Sequence, residues 1–184
     1  FQDYVVALDE NIRLGRSVIL CGNPGTGKTH LACALVMAAK RAGKTALFTS
    51  VAKTVRSIRE TWGTAAVKTE RQVIDAYAGV DLLVMDEIGV QAGSVNEQNL
   101  LFAVLNDRYE HMRPTILISN LDLAGIEKAI GDRAFDRLRE NGGRAFIFDW
   151  ASYRTRATPA QAFTHNFMPD VTEFDEDADL PPGA

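Results

Sequence analysis

Gly22-Asn23-Pro24-Gly25-Thr26-Gly27-Lys28-Thr29 follows an apolar run at residues 18–21 and opens a stretch, residues 29–41, with Leu31, Leu35 and Ala38 along one helical side. The pattern GxxxxGK[ST] between a strand and a helix predicts a loop that wraps phosphate groups. Gly22, Gly25 and Gly27 let the backbone approach closely and turn its N–H groups inward at a helix N-terminus. Lys28 brings a positive charge to the β- and γ-phosphates of ATP, and the Thr29 hydroxyl is suited to Mg²⁺.

Apolar runs of strand length recur at residues 46–49, 82–85, 115–119 and 145–148, separated by amphipathic stretches. Continuous apolar strands between helices indicate a parallel sheet covered on both faces. Helical periodicity is expected at 51–62, 95–111 and 123–140, the last broken near Gly131. In the 51–62 stretch, Val51, Val55, Ile58 and Trp62 form one stripe, which predicts Trp62 in the core, with stacking on a nucleic-acid base as the alternative. In an open α/β sheet of this kind a ligand sits at the carboxyl ends of the strands.

Two further strands end in polar groups. Leu82-Leu83-Val84-Met85 delivers Asp86 and Glu87, placing Asp86 to hold Mg²⁺ and Glu87 to orient or deprotonate the attacking water. Residues 115–119 deliver Asn120, whose amide can bond a γ-phosphate or that water; a turn-forming Asn is the bland alternative. Arg154, after the last apolar run, could reach the same nucleotide in cis. For Arg133, Arg137 and Arg139, solvated or ion-paired roles are the default.

The 184 residues suit one domain with a sizeable core. No apolar run approaches the roughly 20 residues of a membrane helix. There is no signal-peptide pattern, and the two cysteines, Cys21 and Cys33, read as small core residues of a reducing, cytoplasmic compartment. The chain begins with Phe1 rather than Met, which reads as a fragment. The net charge of −4 is unevenly spread: residues 164–184 hold six of the 24 acids and no Lys or Arg, leaving 18 acids against 20 bases elsewhere. An acidic, disordered tail over 159–184 is expected beyond a domain at 1–158.

The combined motifs resemble the AAA+ ATPases, and more narrowly the DnaC-type helicase loaders and IstB-like ATPases. The resemblance rests on residues 22–32 (the loop with His30-Leu31-Ala32), 80–91 (ending Asp86-Glu87-Ile88-Gly89-Val90-Gln91), 131–139, and Trp150-Ala151-Ser152-Tyr153-Arg154-Thr155-Arg156. It implies a P-loop NTPase fold with an open, mainly parallel five-stranded sheet between helices and little or no C-terminal lid. It also implies ATP or ADP with Mg²⁺ as ligands, held by residues 22–29 with His30 alongside. Asn120 takes the sensor-1 position, Arg137 the arginine finger, with Arg133 as its rival, and Arg154 the sensor-2 arginine.

The implied activity is an ATPase that loads a replicative DNA helicase, gripped through an N-terminal region missing from this chain. The implied assembly is a homo-oligomer with head-to-tail ATP sites on single-stranded DNA. Independent support for DNA comes from the basic composition of residues 40–71, with Lys53, Arg56 and Arg59 as candidate contacts; a solvated helical face is the alternative. Competing readings are an IstB-like transposition helper acting on duplex DNA, and a nucleotide-gated DNA-binding module with negligible turnover.

Overall fold

Five strands, β1 (Val18–Gly22), β2 (Ala46–Ser50), β3 (Leu82–Ile88), β4 (Thr115–Ser119) and β5 (Arg144–Phe148), lie in the order β2-β3-β4-β1-β5. They belong to a computed structural model that describes residues 1–89 and 94–155. Every pairing is parallel, so all five carboxyl ends share one edge of the sheet. The expected acidic tail, the boundary at 158, the lid region, Val90, Gln91 and Arg156 lie outside the described residues.

The strands are continuously apolar because both sheet faces are covered. Successive side chains alternate between faces. Ile19, Cys21, Leu83, Met85 and Leu117 enter one core, while Val18, Leu20, Leu82, Val84, Ile116 and Ile118 enter the other. Helices α4 (Val51–Glu60), α5 (Glu70–Gly79), α6 (Val95–Glu110), α7 (Leu123–Ile130) and α8 (Asp132–Arg139) cover the first face. Helices α1 (Gln2–Val6), α2 (Leu8–Arg13) and α3 (Lys28–Arg41) cover the second. Parallel crossovers are right-handed, so the covering face depends on the direction of travel across the sheet. The chain moves outward from β1 to β2 through α3 and then returns strand by strand, which accounts for α3 lying opposite α4–α8.

Local sequence explains the helix ends. Ser50, Thr69, Ser94 and Asp122 each accept a backbone N–H at the start of α4, α5, α6 and α7, with reciprocal capping boxes at Thr69–Gln72 and Ser94–Glu97. Gly131, at φ 85°, separates α7 from α8, as the predicted break requires. One expectation fails. Trp62 lies beyond the end of α4 and is 53% exposed, its indole N–H donating to Glu70. The helical stripe stops at Ile58 because Thr61 turns the chain: its hydroxyl caps the Ile58 carbonyl at 2.6 Å.

Arg108 of α6 is buried without a carboxylate partner among the described residues. Its guanidinium donates to the carbonyls of Tyr77, Ala78, Val80, Asp81 and Pro114 and to the Thr115 hydroxyl. Two of those carbonyls belong to the last turn of α5, where the helix dipole favours a cation. Burial pushes the Arg108 pKa down to about 9, with the nearby Arg113 charge adding to the effect, so it remains charged at neutral pH. This one side chain holds the end of α5 to the starts of β3 and β4. No helix among the described residues is long and apolar enough to cross a membrane.

Candidate nucleotide-binding site

Because β1 lies between β4 and β5, and β3 flanks β4, the carboxyl ends of four strands adjoin one another. The predicted loop leaves β1 there. Gly22, Gly25 and Gly27 all have positive φ, at 116°, 72° and 98°. A Cβ at Gly22 would strike the Phe148 backbone, and one at Gly25 would strike the Ser152 hydroxyl, whereas at Gly27 it would meet open space. Glycine is thus required by crowding at two positions and by conformation at all three. Among α3–α7, α3 alone has no side-chain cap, which leaves its first-turn N–H groups available to an anion at the loop.

Lys28 is 5% exposed, and its ammonium donates to the carbonyls of Gly22 (2.8 Å) and Asn23 (2.6 Å). Burial lowers its pKa; the Asp86 carboxylate opposes that shift, and the Arg154 charge reinforces it. Two cations and a carboxylate therefore feel one another at this loop. Thr26 closes the turn by donating its hydroxyl to the Asn23 carbonyl at 2.7 Å.

The Thr29 hydroxyl donates to Asp86 Oδ2 at 2.9 Å, joining residues 57 apart in sequence. The other carboxylate oxygen, Oδ1, accepts the Glu87 N–H at 2.6 Å. Glu87 has φ 63°, a left-handed conformation that costs a non-glycine residue on the order of 1 kcal/mol or more, at a register shift between Met85 and Ile88. In a regular strand, adjacent Asp86 and Glu87 would face opposite sides of the sheet. The bulge releases Glu87 from that alternation, and its side chain is exposed. Asn120, also exposed, follows β4 directly. Its neighbour Ser119 donates to the Ile88 carbonyl at 2.8 Å and accepts the Leu121 N–H, which pins this turn beside the Asp86–Glu87 corner.

The chain leaving β5 reaches the same loop. Asn23 N–H donates to the Phe148 carbonyl at 2.8 Å, and its side-chain amide donates to the carbonyls of Asp149 (3.0 Å) and Trp150 (3.2 Å). Tyr153 N–H donates to the Gly25 carbonyl at 2.9 Å. Ser152-Tyr153-Arg154 is thereby laid on the loop, which brings Arg154 against Gly25 and its charge within reach of Lys28. No local signal in the sequence marks this contact, since it joins residues more than 120 positions apart.

Other predicted residues stand apart. His30 is exposed on α3. Arg137 is held within its own chain by Asn106, Glu140 and the ring of Tyr109, and Arg133 lies over the ring of Phe102. None of these partners belongs to the loop. On α4, Lys53 and Arg56 are exposed, whereas Arg59 pairs with Glu97 at 3.4 Å. Arg71, in the same basic stretch, is engaged by Asp75 and Asp107.

The donor set suits magnesium. Thr29 and Asp86 supply one hydroxyl and one carboxylate at one place, and no cluster of three His, Cys, Asp or Glu gathers among the described residues. Mg²⁺ takes few protein ligands and completes its shell with water and phosphate oxygens.

Comparison with known proteins agrees with this geometry. The family model described as IstB-like ATP binding protein matches residues 7–140. The replicative helicase loader DnaC of Escherichia coli K12 is 36% identical over 157 residues, 85% of this chain and 62% of that protein. The chain thus spans about three fifths of that relative's length. A crystal structure of the DnaC helicase loader shares the fold at TM-score 0.69 and 20% identity, over 80% of this chain and 85% of that one. The replication initiator DnaA, bound to AMPPCP and single-stranded DNA, superposes at TM-score 0.69 and 25% identity, over 81% of this chain and 45% of that one. The match across most of its length, on a P-loop site built as the motifs require, makes the chain a member of the IstB-like ATP-binding protein family: a DnaC/IstB-like AAA+ domain.

Proposed function

We propose that the chain binds and hydrolyses MgATP and serves as the ATPase module of a replicative-helicase loader, working in a head-to-tail oligomer on single-stranded DNA. The observation that carries the reading is the Thr29–Asp86 hydrogen bond, which joins the phosphate loop to the acid-bearing strand at the carboxyl edge. The 36% identity to DnaC supports the loader assignment.

In this reading the loop amides and Lys28 bind the triphosphate, and Thr29 and Asp86 hold the magnesium ion. The bound metal neutralises charge on the β- and γ-phosphate oxygens. Glu87 accepts a hydrogen bond from the attacking water and draws off its proton, while Asn120 orients that water or the γ-phosphate. Arg154 adds a second positive charge from the same chain. Arg137, or Arg133, supplies a guanidinium to the nucleotide of the adjacent subunit, and reaching it requires Arg137 to leave Asn106 and Glu140. The exposed Lys53 and Arg56 on α4, with Arg59 at the flank, track a nucleic-acid backbone.

Phosphate release measured with and without single-stranded DNA tests the reading. Glu87→Gln should keep MgATP binding and lose about 10²–10⁴ in rate. Wild-type protein that binds MgATP yet turns over no faster than Glu87→Gln supports a nucleotide-gated binding module instead. The family match favours a second reading, an IstB-like transposition helper, and tighter binding to duplex than to single-stranded DNA would select it.

A further inference from the structure

We propose that Asn23 is a positioning residue: it does not touch the nucleotide but holds the Ser152–Tyr153–Arg154 segment so that Arg154 and Lys28 meet the same triphosphate. The inference rests on the nucleotide reading above and assigns the second loop position a role that its motif does not specify.

The backbone groups and the side-chain NH₂ of Asn23 are already committed. Its backbone N–H continues the β1–β5 ladder by one step to Phe148, beyond the Gly22–Phe148 register pair. That amide is therefore turned away from any phosphate. The side-chain NH₂ donates to two consecutive carbonyls, Asp149 and Trp150, at 3.0 and 3.2 Å. Its backbone carbonyl accepts from Lys28 Nζ at 2.6 Å and from the Thr26 hydroxyl at 2.7 Å. One residue thus contacts both the lysine and the strand exit that carries the arginine.

The rest of the segment follows from that grip. Two residues on, the Gly25 carbonyl accepts the Tyr153 N–H, and Ser152 packs where a Gly25 side chain would be. Ser152 Oγ accepts the Arg154 N–H at 3.2 Å, which sets the direction of the short 3₁₀ turn Tyr153–Thr155. Arg154 Cδ lies 3.4 Å from the position of that same absent Cβ at Gly25. Two like charges brought together at a glycine loop repel each other unless an anion lies between them. Holding both there without ligand costs energy that binding of a polyphosphate returns.

A double-mutant cycle on the full chain tests this, reading MgATP affinity and, separately, the melting temperature without nucleotide. Arg154→Ala and Asn23→Ala should each weaken MgATP binding by about 10–150-fold, the span expected for losing one charged contact. The double variant should be no weaker than Arg154→Ala alone, because Asn23 acts only through Arg154. Asn23→Asp should bind less tightly than Asn23→Ala, since a carboxylate would face two carbonyl oxygens. Asn23→Ser, a smaller change that retains one donor, should fall between wild type and Ala and serves if Asn23→Ala does not fold. Multiplicative losses in the double variant would overturn the proposal, as would an Asn23→Ala protein with a lower melting temperature and unaltered MgATP affinity. Failure of the wild-type protein to bind MgATP would instead refute the nucleotide reading on which the proposal stands.

Discussion

Replacing Lys28 by Met separates the lysine's cost to the fold from its value to the ligand. Met keeps most of the aliphatic stem and removes the charge. The Lys28 pKa is lowered chiefly by burial, so the charged form is penalised in the folded chain despite its two hydrogen bonds. The carbonyls it releases belong to Gly22 and Asn23, half-buried and exposed, where water can replace it. Without nucleotide, Lys28→Met should melt no lower than wild type. With nucleotide the order reverses. At MgATP near 100 Kd the wild-type protein gains about 2.7 kcal/mol, or about 5–11 °C for a chain of this size. A variant binding about 100-fold more weakly, the loss of one strong charged contact, gains only about 0.4 kcal/mol, or about 1–2 °C, at the same concentration. Differential scanning fluorimetry with a MgATP titration reads both effects. A full nucleotide-induced shift in the variant, or a large fall in its nucleotide-free melting temperature, would refute the reasoning.

The same lysine predicts a pH dependence. Its penalty is complete below its lowered folded-state pKa and vanishes as pH rises to the ordinary lysine value, so any stability advantage of Lys28→Met should shrink across that window. The comparison must be between the two proteins, since burial raises the pKa of Tyr4, Cys21 and Cys33 and costs both proteins stability in alkali.

Arg137→Ala should retain MgATP binding and lose hydrolysis, and mixing it with Glu87→Gln should restore part of the rate; no recovery, with a lowered melting temperature, would leave Arg137 as a strut between α8 and α6. Arg108→Met should destabilise the fold by about 3–5 kcal/mol in chemical denaturation, because it strands buried carbonyls of α5 and the β3 and β4 starts, while MgATP affinity of the folded protein stays unaltered. Removing the charges of Lys53 and Arg56 together should flatten the slope of log affinity for single-stranded DNA against log salt by about 1.4 if both contact phosphates. An unaltered slope would place the nucleic acid elsewhere.

Much of this protein was legible in one dimension because its signals are local. The loop glycines, the five apolar runs and the Gly131 break each depend on residues a few positions apart, where backbone sterics and burial periodicity act directly. Helix α5 was not among the expected helices, because its ten residues carry a weak apolar pattern; its Thr69–Gln72 capping box is the local signal that could have marked its start. What only the folded chain decided are relations across long sequence separations. Packing β1 beside β5 brought Asn23 to Asp149 and Trp150. Packing elsewhere buried Arg108 among carbonyls and engaged Arg137, while the Thr61 cap took Trp62 out of its predicted stripe. Periodicity reports which face of an element is apolar; which elements become neighbours is set by sheet order, and no short stretch of residues encodes that.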